Sequence, residues 1–163
     1  MNTDASADLA KVKVHEEILV FETFDRATAW ELGNLIRSKI EAAGAAAAID
    51  IRKGDEPWFV TSMPGATAAN IDWARRKRNL VNLVEVSSYR IGLEKQAGSP
   101  LLELMALDPR DHVPAGGCFP IRVRGVGVIG TATVSGLPQR DDHRMVVEAI
   151  AELTGIALGD SAL

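Results

Sequence analysis

The chain has 163 residues, a formal net charge of −4 at pH 7 and 47% hydrophobic residues, a composition typical of one packed globular domain. The acidic balance argues against a general nucleic-acid-binding protein, because phosphate contacts require an excess of Lys and Arg. The sequence shows neither a signal-peptide pattern nor an apolar run long enough for a bilayer, and its single cysteine cannot form an internal disulfide, so we expect a cytoplasmic protein.

The first part of the chain predicts two helices and a short strand. Mixed charged and apolar residues indicate a helix over residues 6–17, and the apolar run 18–21 indicates a strand. Asp25 is a good helix-capping residue and Gly44 fits the position after a last helical turn. Between them, apolar residues recur at helical spacing: Leu32, Leu35, Ile36 and Ile40.

The middle of the chain predicts a hairpin followed by helices. Two extended runs, 45–51 and 58–62, are separated by turn-forming residues and indicate antiparallel strands. An apolar stripe over residues 70–86 predicts an amphipathic helix. A further helical piece is expected over 87–96, and a single helical turn around 102–105.

The last part of the chain predicts a second hairpin and a final helix. Alternating residues over 119–134, interrupted at Arg124-Gly125, indicate two strands. The helix is expected over 141–153, with Asp141 and Asp142 capping its positive end. Hairpins alternating with helices favour an α+β fold, with an antiparallel sheet and helices packed on its faces, in a profilin-like or PAS-like architecture. We predict a helical extension over residues 1–17 and one domain over 18–158.

The densest cluster of positive charge in the sequence is a run of four cations on the predicted helix 70–86. Arg75, Arg76 and Asn79 provide donors for a carboxylate or phosphate, and Arg76 and Asn79 continue an apolar face of the helix. The alternative is structural: Asp72 and Arg76 form an i,i+4 ion pair while the remaining cations are solvated. Both interpretations stay open at this point.

Other polar positions have a functional and a structural interpretation. Gly116 and Gly117 present backbone N–H groups to an anion or simply form a turn that requires positive φ. His112 lies in an irregular segment, and His143 is a proton-transfer candidate or an exposed first-turn residue. The histidine spacing predicts no metal site, and Cys118 is expected to be an inert, partly buried thiol.

The C-terminal residues resemble a known family. The segments 116–121, 127–130, 134–136 and Asp141-Asp142 are similar in order and spacing to the GlcG/heme-binding-protein family, also called the heme-degrading domain. Further similarity lies in 50–52, 64–65, 73–79 and 87–88, so that the resemblance covers about residues 18–153 and is nearest to a cytoplasmic branch. It implies an antiparallel sheet flanked by helices, and dimers that build larger homo-oligomers.

The resemblance and the residues together give two hypotheses. The first is a non-catalytic, oligomeric binding protein for a small anionic ligand or a protein partner, which uses the helix 75–79 and the Gly116-Gly117 turn. The second, implied by the resemblance, is a heme-binding or heme-degrading protein with His112 or His143 as the iron ligand. Nucleic acid and membranes are not expected as partners.

Overall fold

The computed structural model describes residues 3–163, so the first two residues of the predicted N-terminal extension lie outside it. Six α-helices, five strands and a short 3₁₀ helix at Gly159–Ser161 follow one another along the chain. The helices are α1 Thr3–Ile18, α2 Arg26–Ala42, α3 Ala68–Val84, α4 Ser88–Gln96, α5 Leu101–Leu104 and α6 Gln139–Thr154. The strands are β1 Val20–Phe21, β2 Ala48–Lys53, β3 Glu56–Ser62, β4 Cys118–Val123 and β5 Gly127–Ser135.

The five strands form one sheet in the order β1-β4-β5-β2-β3. Both predicted hairpins are present, β2 with β3 and β4 with β5, and β2 also pairs antiparallel with β5. The two-residue β1 adds at one edge as the only parallel pairing among the described strands. The α+β prediction is therefore confirmed. Within residues 3–163, every helix is too short or too polar to cross a lipid bilayer.

The two faces of the sheet differ in chemistry because side chains alternate along each strand. On one face, Ile49 and Ile51 of β2 lie beside Ala132 and Val134 of β5, and all four are fully buried in the main apolar core with α2 and α6. The opposite face is covered by α3 and carries buried polar side chains, among them Asp50 and Thr133, which are direct partners across β2 and β5. A polar layer therefore lies beneath α3.

Helix α2 forms as its sequence predicts. The Asp25 carboxylate accepts a hydrogen bond from the Thr28 backbone N–H at 2.9 Å, which satisfies a free donor of the first turn. After Ala43 the chain reaches Gly44 at φ +61°, the left-handed conformation that ends many helices. The buried face is apolar at helical spacing: Ala29, Leu32, Ile36 and Ile40.

Helix α3 begins and ends two residues before its predicted bounds. At its start the Asn70 side-chain oxygen accepts from the Thr67 N–H at 2.8 Å, a contact that belongs to a capping box. At its end Glu85 adopts φ +55° and its N–H bonds to the Val81 carbonyl oxygen, which stops the helix. These local contacts decide the bounds, which an apolar stripe alone does not define.

Candidate functional site

Of the four cations on α3, Arg75 and Arg76 are partly exposed, whereas Lys77 and Arg78 are buried. Asp72 accepts from Arg76 at 2.9 Å, as the structural interpretation predicted. The other half of that interpretation is wrong, because Lys77 and Arg78 are buried rather than solvated, with 2% and 9% of their surfaces exposed. Lys77 lies three residues from both Ala74 and Leu80, which are also buried, so helical spacing already placed it on the inner face.

The predicted ligand donors Arg75 and Asn79 bind another part of this chain. Arg75 donates to the Asp111 carboxylate at 2.8 Å and to the Arg110 carbonyl oxygen at 2.9 Å. Asn79 donates to the Asp111 carbonyl oxygen at 3.0 Å. These contacts fasten the loop before β4 to α3, while the Arg76 guanidinium lies 4.3 Å from the Trp73 ring centroid. Arg75, Arg76 and Asn79 thus already have partners within the fold.

Lys77 forms a buried ion pair with Asp142 of α6. Its ammonium donates to the carboxylate at 2.8 Å and to the Val134 carbonyl oxygen at 3.2 Å. The Asp142 carboxylate also accepts from the Leu137 N–H at 2.9 Å. Burial raises the pKa of this carboxyl, and the neighbouring ammonium offsets only part of that effect. Sequence reasoning missed this pair because its members are 65 residues apart.

Asp141 and Asp142 both lie in the first turn of α6, at the positive end of the helix, as predicted. Neither caps α6 through a side-chain hydrogen bond. Asp142 instead binds the backbone ahead of the helix and the Lys77 ammonium. Asp141 accepts from Arg144 at 2.9 Å in a local i,i+3 pair at the surface.

The two glycines before β4 allow the backbone to pass close to this ion pair. Gly117 has φ +126°, and a Cβ built on it would lie 2.3 Å from the Val134 carbonyl oxygen and 2.8 Å from Lys77 Nζ. A Cβ on Gly116 would lie 2.1 Å from the Gln139 carbonyl oxygen. The Gly116 N–H already donates to the Gln139 side-chain oxygen at 3.3 Å. The glycines thus meet the requirement of a tight turn.

Replacing Gly117 with alanine is expected to lower the free energy of unfolding by about 1–3 kcal/mol or more. A non-glycine residue is strained at this φ, and its methyl group would overlap with backbone atoms. Urea denaturation followed by circular dichroism measures the change. Gly125→Ala is the control, since Gly125 has φ +73° with no atom within 4 Å of its Cβ position. Equal losses in the two variants would show that contact with Val134 and Lys77 is unimportant.

A cleft of about 300 Å³ lies above the ion pair. We call it the α3–α6 cleft, and it is lined by Asn70, Trp73, Lys77, Ala115, Ser135, Gly136, Leu137, Gln139 and Asp142. Asn70 and Gln139 already use their side-chain oxygens on backbone N–H groups, which leaves their NH₂ groups as donors. Because an ammonium and an indole N–H join them, donors predominate among the lining side chains, and the cleft suits a ligand that accepts hydrogen bonds.

The three histidines lie outside the α3–α6 cleft. His143 is fully buried, which corrects the expectation of an exposed first-turn residue. Its Nε2 lies 3.3 Å from Nδ1 of buried His15, whose Nε2 lies 2.7 Å from the Ser161 carbonyl oxygen. Because the carbonyl can only accept, His15 Nε2 carries the proton and its Nδ1 accepts from His143. Burial lowers the pKa of His143 to about 3.

His112 and Cys118 are the remaining residues that the sequence analysis considered for a functional role. His112 is half-buried in the loop before β4, with Nδ1 3.3 Å from the Asp108 carbonyl oxygen. Cys118 is fully buried beside the Thr133 hydroxyl, which donates to its sulfur at 3.0 Å. Burial raises the pKa of this thiol to about 12, so it is protonated at neutral pH and unreactive.

Comparison with known proteins points to one family. A family model described as haem degrading protein HbpS-like matches residues 24–151. A UPF0303 protein of Azotobacter vinelandii is 46% identical over 164 residues, covering 100% of this chain and 98% of the relative. The crystal structure of Ybr137w protein superposes with a TM-score of 0.83 at 26% identity, covering 90% of this chain and 87% of that one. A PduOC:heme complex shares the fold, with a TM-score of 0.68 at 19% identity over 81% of this chain and 94% of that one.

Proposed function

Because the chain belongs to the HbpS-like haem-degrading protein family, we propose that it is a non-catalytic, self-associating binding protein whose ligand occupies the α3–α6 cleft. The ligand is a small molecule with a hydrogen-bond-accepting group, such as a carboxylate, attached to a flat apolar part. The accepting group lies near Lys77 and the flat part against Trp73. The PduOC:heme complex shares the fold but does not define the ligand of this chain.

The observation that carries this proposal is the Lys77 ammonium at the base of the cleft. Only 3% of its side chain is exposed, and two of its three protons point to Asp142 and the Val134 carbonyl oxygen. The third proton remains for a ligand. The oxygens of Asp142 already accept hydrogen bonds from Lys77 and the Leu137 N–H. The side chains that line the cleft therefore offer more free hydrogen-bond donors than free acceptors.

The same geometry favours binding over catalysis. A nucleophile or a general base needs a pKa near the working pH and access to the substrate. Cys118 is buried and protonated, and His143 is buried and neutral. The two titratable groups that line the cleft, Lys77 and Asp142, are held to each other by an ion pair, so Lys77 serves as a fixed donor.

Benzoate is the probe that tests this site, because it joins a carboxylate to a flat ring. We expect saturable binding that changes tryptophan fluorescence, with benzoate recovered unchanged by NMR after prolonged incubation. Trp73→Leu and the paired variant Lys77→Met/Asp142→Asn should each weaken binding at least ten-fold. Trp30→Leu is the matched control, since Trp30 is 64% exposed on α2 and does not line the cleft. Equal affinity in the Trp73 and Trp30 variants would contradict the proposal.

Heme is the alternative ligand, and the histidines fit it poorly. His143 is fully buried and bonded to His15, so neither ring is accessible to an axial position. His112 alone among the histidines reaches the surface. Heme titration followed by visible absorption, with His112→Ala and His143→Ala in parallel, distinguishes the two functions. A stoichiometric Soret change abolished by His112→Ala would favour heme.

Self-association is part of the proposal because the family resemblance implies it. Trp30, Leu104 and Val126 are 64%, 79% and 70% exposed and are the first positions to test in such a contact. Light scattering coupled to size-exclusion chromatography measures the molar mass directly. A mass of one chain over the working concentration range would remove this part of the proposal and leave the cleft untouched.

A further inference from the structure

A second cleft lies on the other side of α3, against β2 and β3. Its volume is about 390 Å³, and it shares no lining residue with the α3–α6 cleft. We call it the arginine cleft, because three of its lining residues are arginines. It is lined by Ala48, Ile49, Asp50, Arg52, Val60, Thr61, Ser62, Ile71, Ala74, Arg75 and Arg78.

Two of these arginines share one carboxylate. Arg52 Nε donates to Asp50 Oδ1 at 2.7 Å, and Arg78 Nη1 donates to Asp50 Oδ2. The Asp50 and Arg78 residues are 6% and 9% exposed, so this contact is largely removed from water. One negative charge therefore faces two positive charges, which leaves a net positive charge in a partly desolvated place.

Arg78 also has a donor that the fold does not use. Its Nε is buried and has no hydrogen-bond partner among residues 3–163. A buried N–H without an acceptor costs about 1–3 kcal/mol, and more when it belongs to a charged group. An unsatisfied buried donor in a folded protein requires an explanation, and a bound ion nearby is one of them.

We propose that the arginine cleft binds a small oxyanion through Arg78 and Arg52. A carboxylate or a phosphate provides two oxygens in the geometry that a guanidinium recognises. Binding balances the excess positive charge of the two guanidinium groups. This site is independent of the α3–α6 cleft and of the function proposed for it.

The rest of the cleft defines the size and character of the anion. Ser62 on the edge strand β3 adds a hydroxyl group, and Arg75 lies among the lining residues while bound to Asp72 and Asp111. Ile71 and Val60 are 54% and 52% exposed and form an apolar margin. The anion is therefore the free oxyanion or the head of a short apolar acid.

Isothermal titration calorimetry at low ionic strength tests the proposal with inorganic phosphate and with propionate. We expect at least one of them to bind, and Arg78→Met to weaken that binding at least ten-fold. Arg78→Lys keeps the charge but lacks the planar fork, so it should also bind more weakly than the wild type. Asp50 keeps Arg52 as a partner in both variants, and urea denaturation verifies that each is folded.

Two further variants make the result decisive. Arg37→Met removes an equal charge from an exposed pair with Glu41 and should leave binding unchanged. Lys77→Met/Asp142→Asn should also retain oxyanion binding, which separates this site from the α3–α6 cleft. Failure of both probes to bind would overturn the proposal, as would equal affinities in the folded Arg78→Met and Arg37→Met variants.

Discussion

Replacing Lys77 with methionine will lower the free energy of unfolding by about 3–5 kcal/mol, because it removes one partner of a buried ion pair. Asp142 keeps its backbone donors in this variant but loses the only cation within reach of its carboxylate among the described residues. Both side chains are at most 3% exposed, so the carboxylate left behind is poorly hydrated. Urea denaturation followed by circular dichroism measures the loss.

The neutral pair Lys77→Met/Asp142→Asn should recover most of this stability. Asparagine keeps an oxygen for the Leu137 N–H while removing the unpaired charge. Asp141→Asn is the surface control, because its partner Arg144 is itself partly exposed and such pairs contribute about 0–1 kcal/mol. A double variant that is no more stable than Lys77→Met would show that packing, rather than charge, sets the loss.

Acidification will destabilise the protein through the buried histidine pair. Burial lowers the pKa of His143 from 6.5 to about 3, and it lowers the pKa of His15 as well. Below pH 6.5 the unfolded chain therefore binds protons that the folded chain excludes, so the free energy of unfolding falls as the pH falls. His143 contributes a slope of about 1.4 kcal/mol per pH unit between its unfolded and folded pKa.

His143→Gln isolates this effect from that of the carboxyl groups. Glutamine does not titrate, yet its amide N–H₂ can still donate to His15 Nδ1. Between pH 6 and pH 4, the variant should lose less stability per pH unit than the wild type, by about 1.4 kcal/mol. Asn82→Gln, at an exposed position that does not titrate, should keep the wild-type slope. Identical slopes for both variants would place the acid sensitivity elsewhere.

Much of the fold follows from local signals in the sequence. Asp25 and Gly44 mark the start and end of α2, and the apolar residues between them face the core. The hairpin β4–β5 follows from alternation on both sides of the turn at Gly125. Each of these features depends on residues within about one element of each other, which is the range over which periodicity is informative.

The candidate site could not be predicted in the same way, because its contacts are long-range. A run of cations is usually solvated, and nothing near Lys77 or Arg78 in sequence reveals that Asp142 and Asp50 lie beneath them. His143 carries the pattern of an exposed first-turn residue until α1 and the C-terminal segment cover it. Helical spacing places Lys77 on the inner face of α3, but the identity of its partner depends on which distant elements pack there, and spacing does not encode that.

The buried position of Cys118 makes the chain convenient for site-specific chemistry. It is the only cysteine in the sequence, and it lies under α3 with a pKa raised to about 12. Thiol reagents act on the thiolate, so the folded protein leaves them unreacted at neutral pH. A cysteine introduced into the exposed turn at Val126, which is 70% exposed, would therefore be the single point of attachment for a fluorophore or spin label, and the native thiol need not be removed.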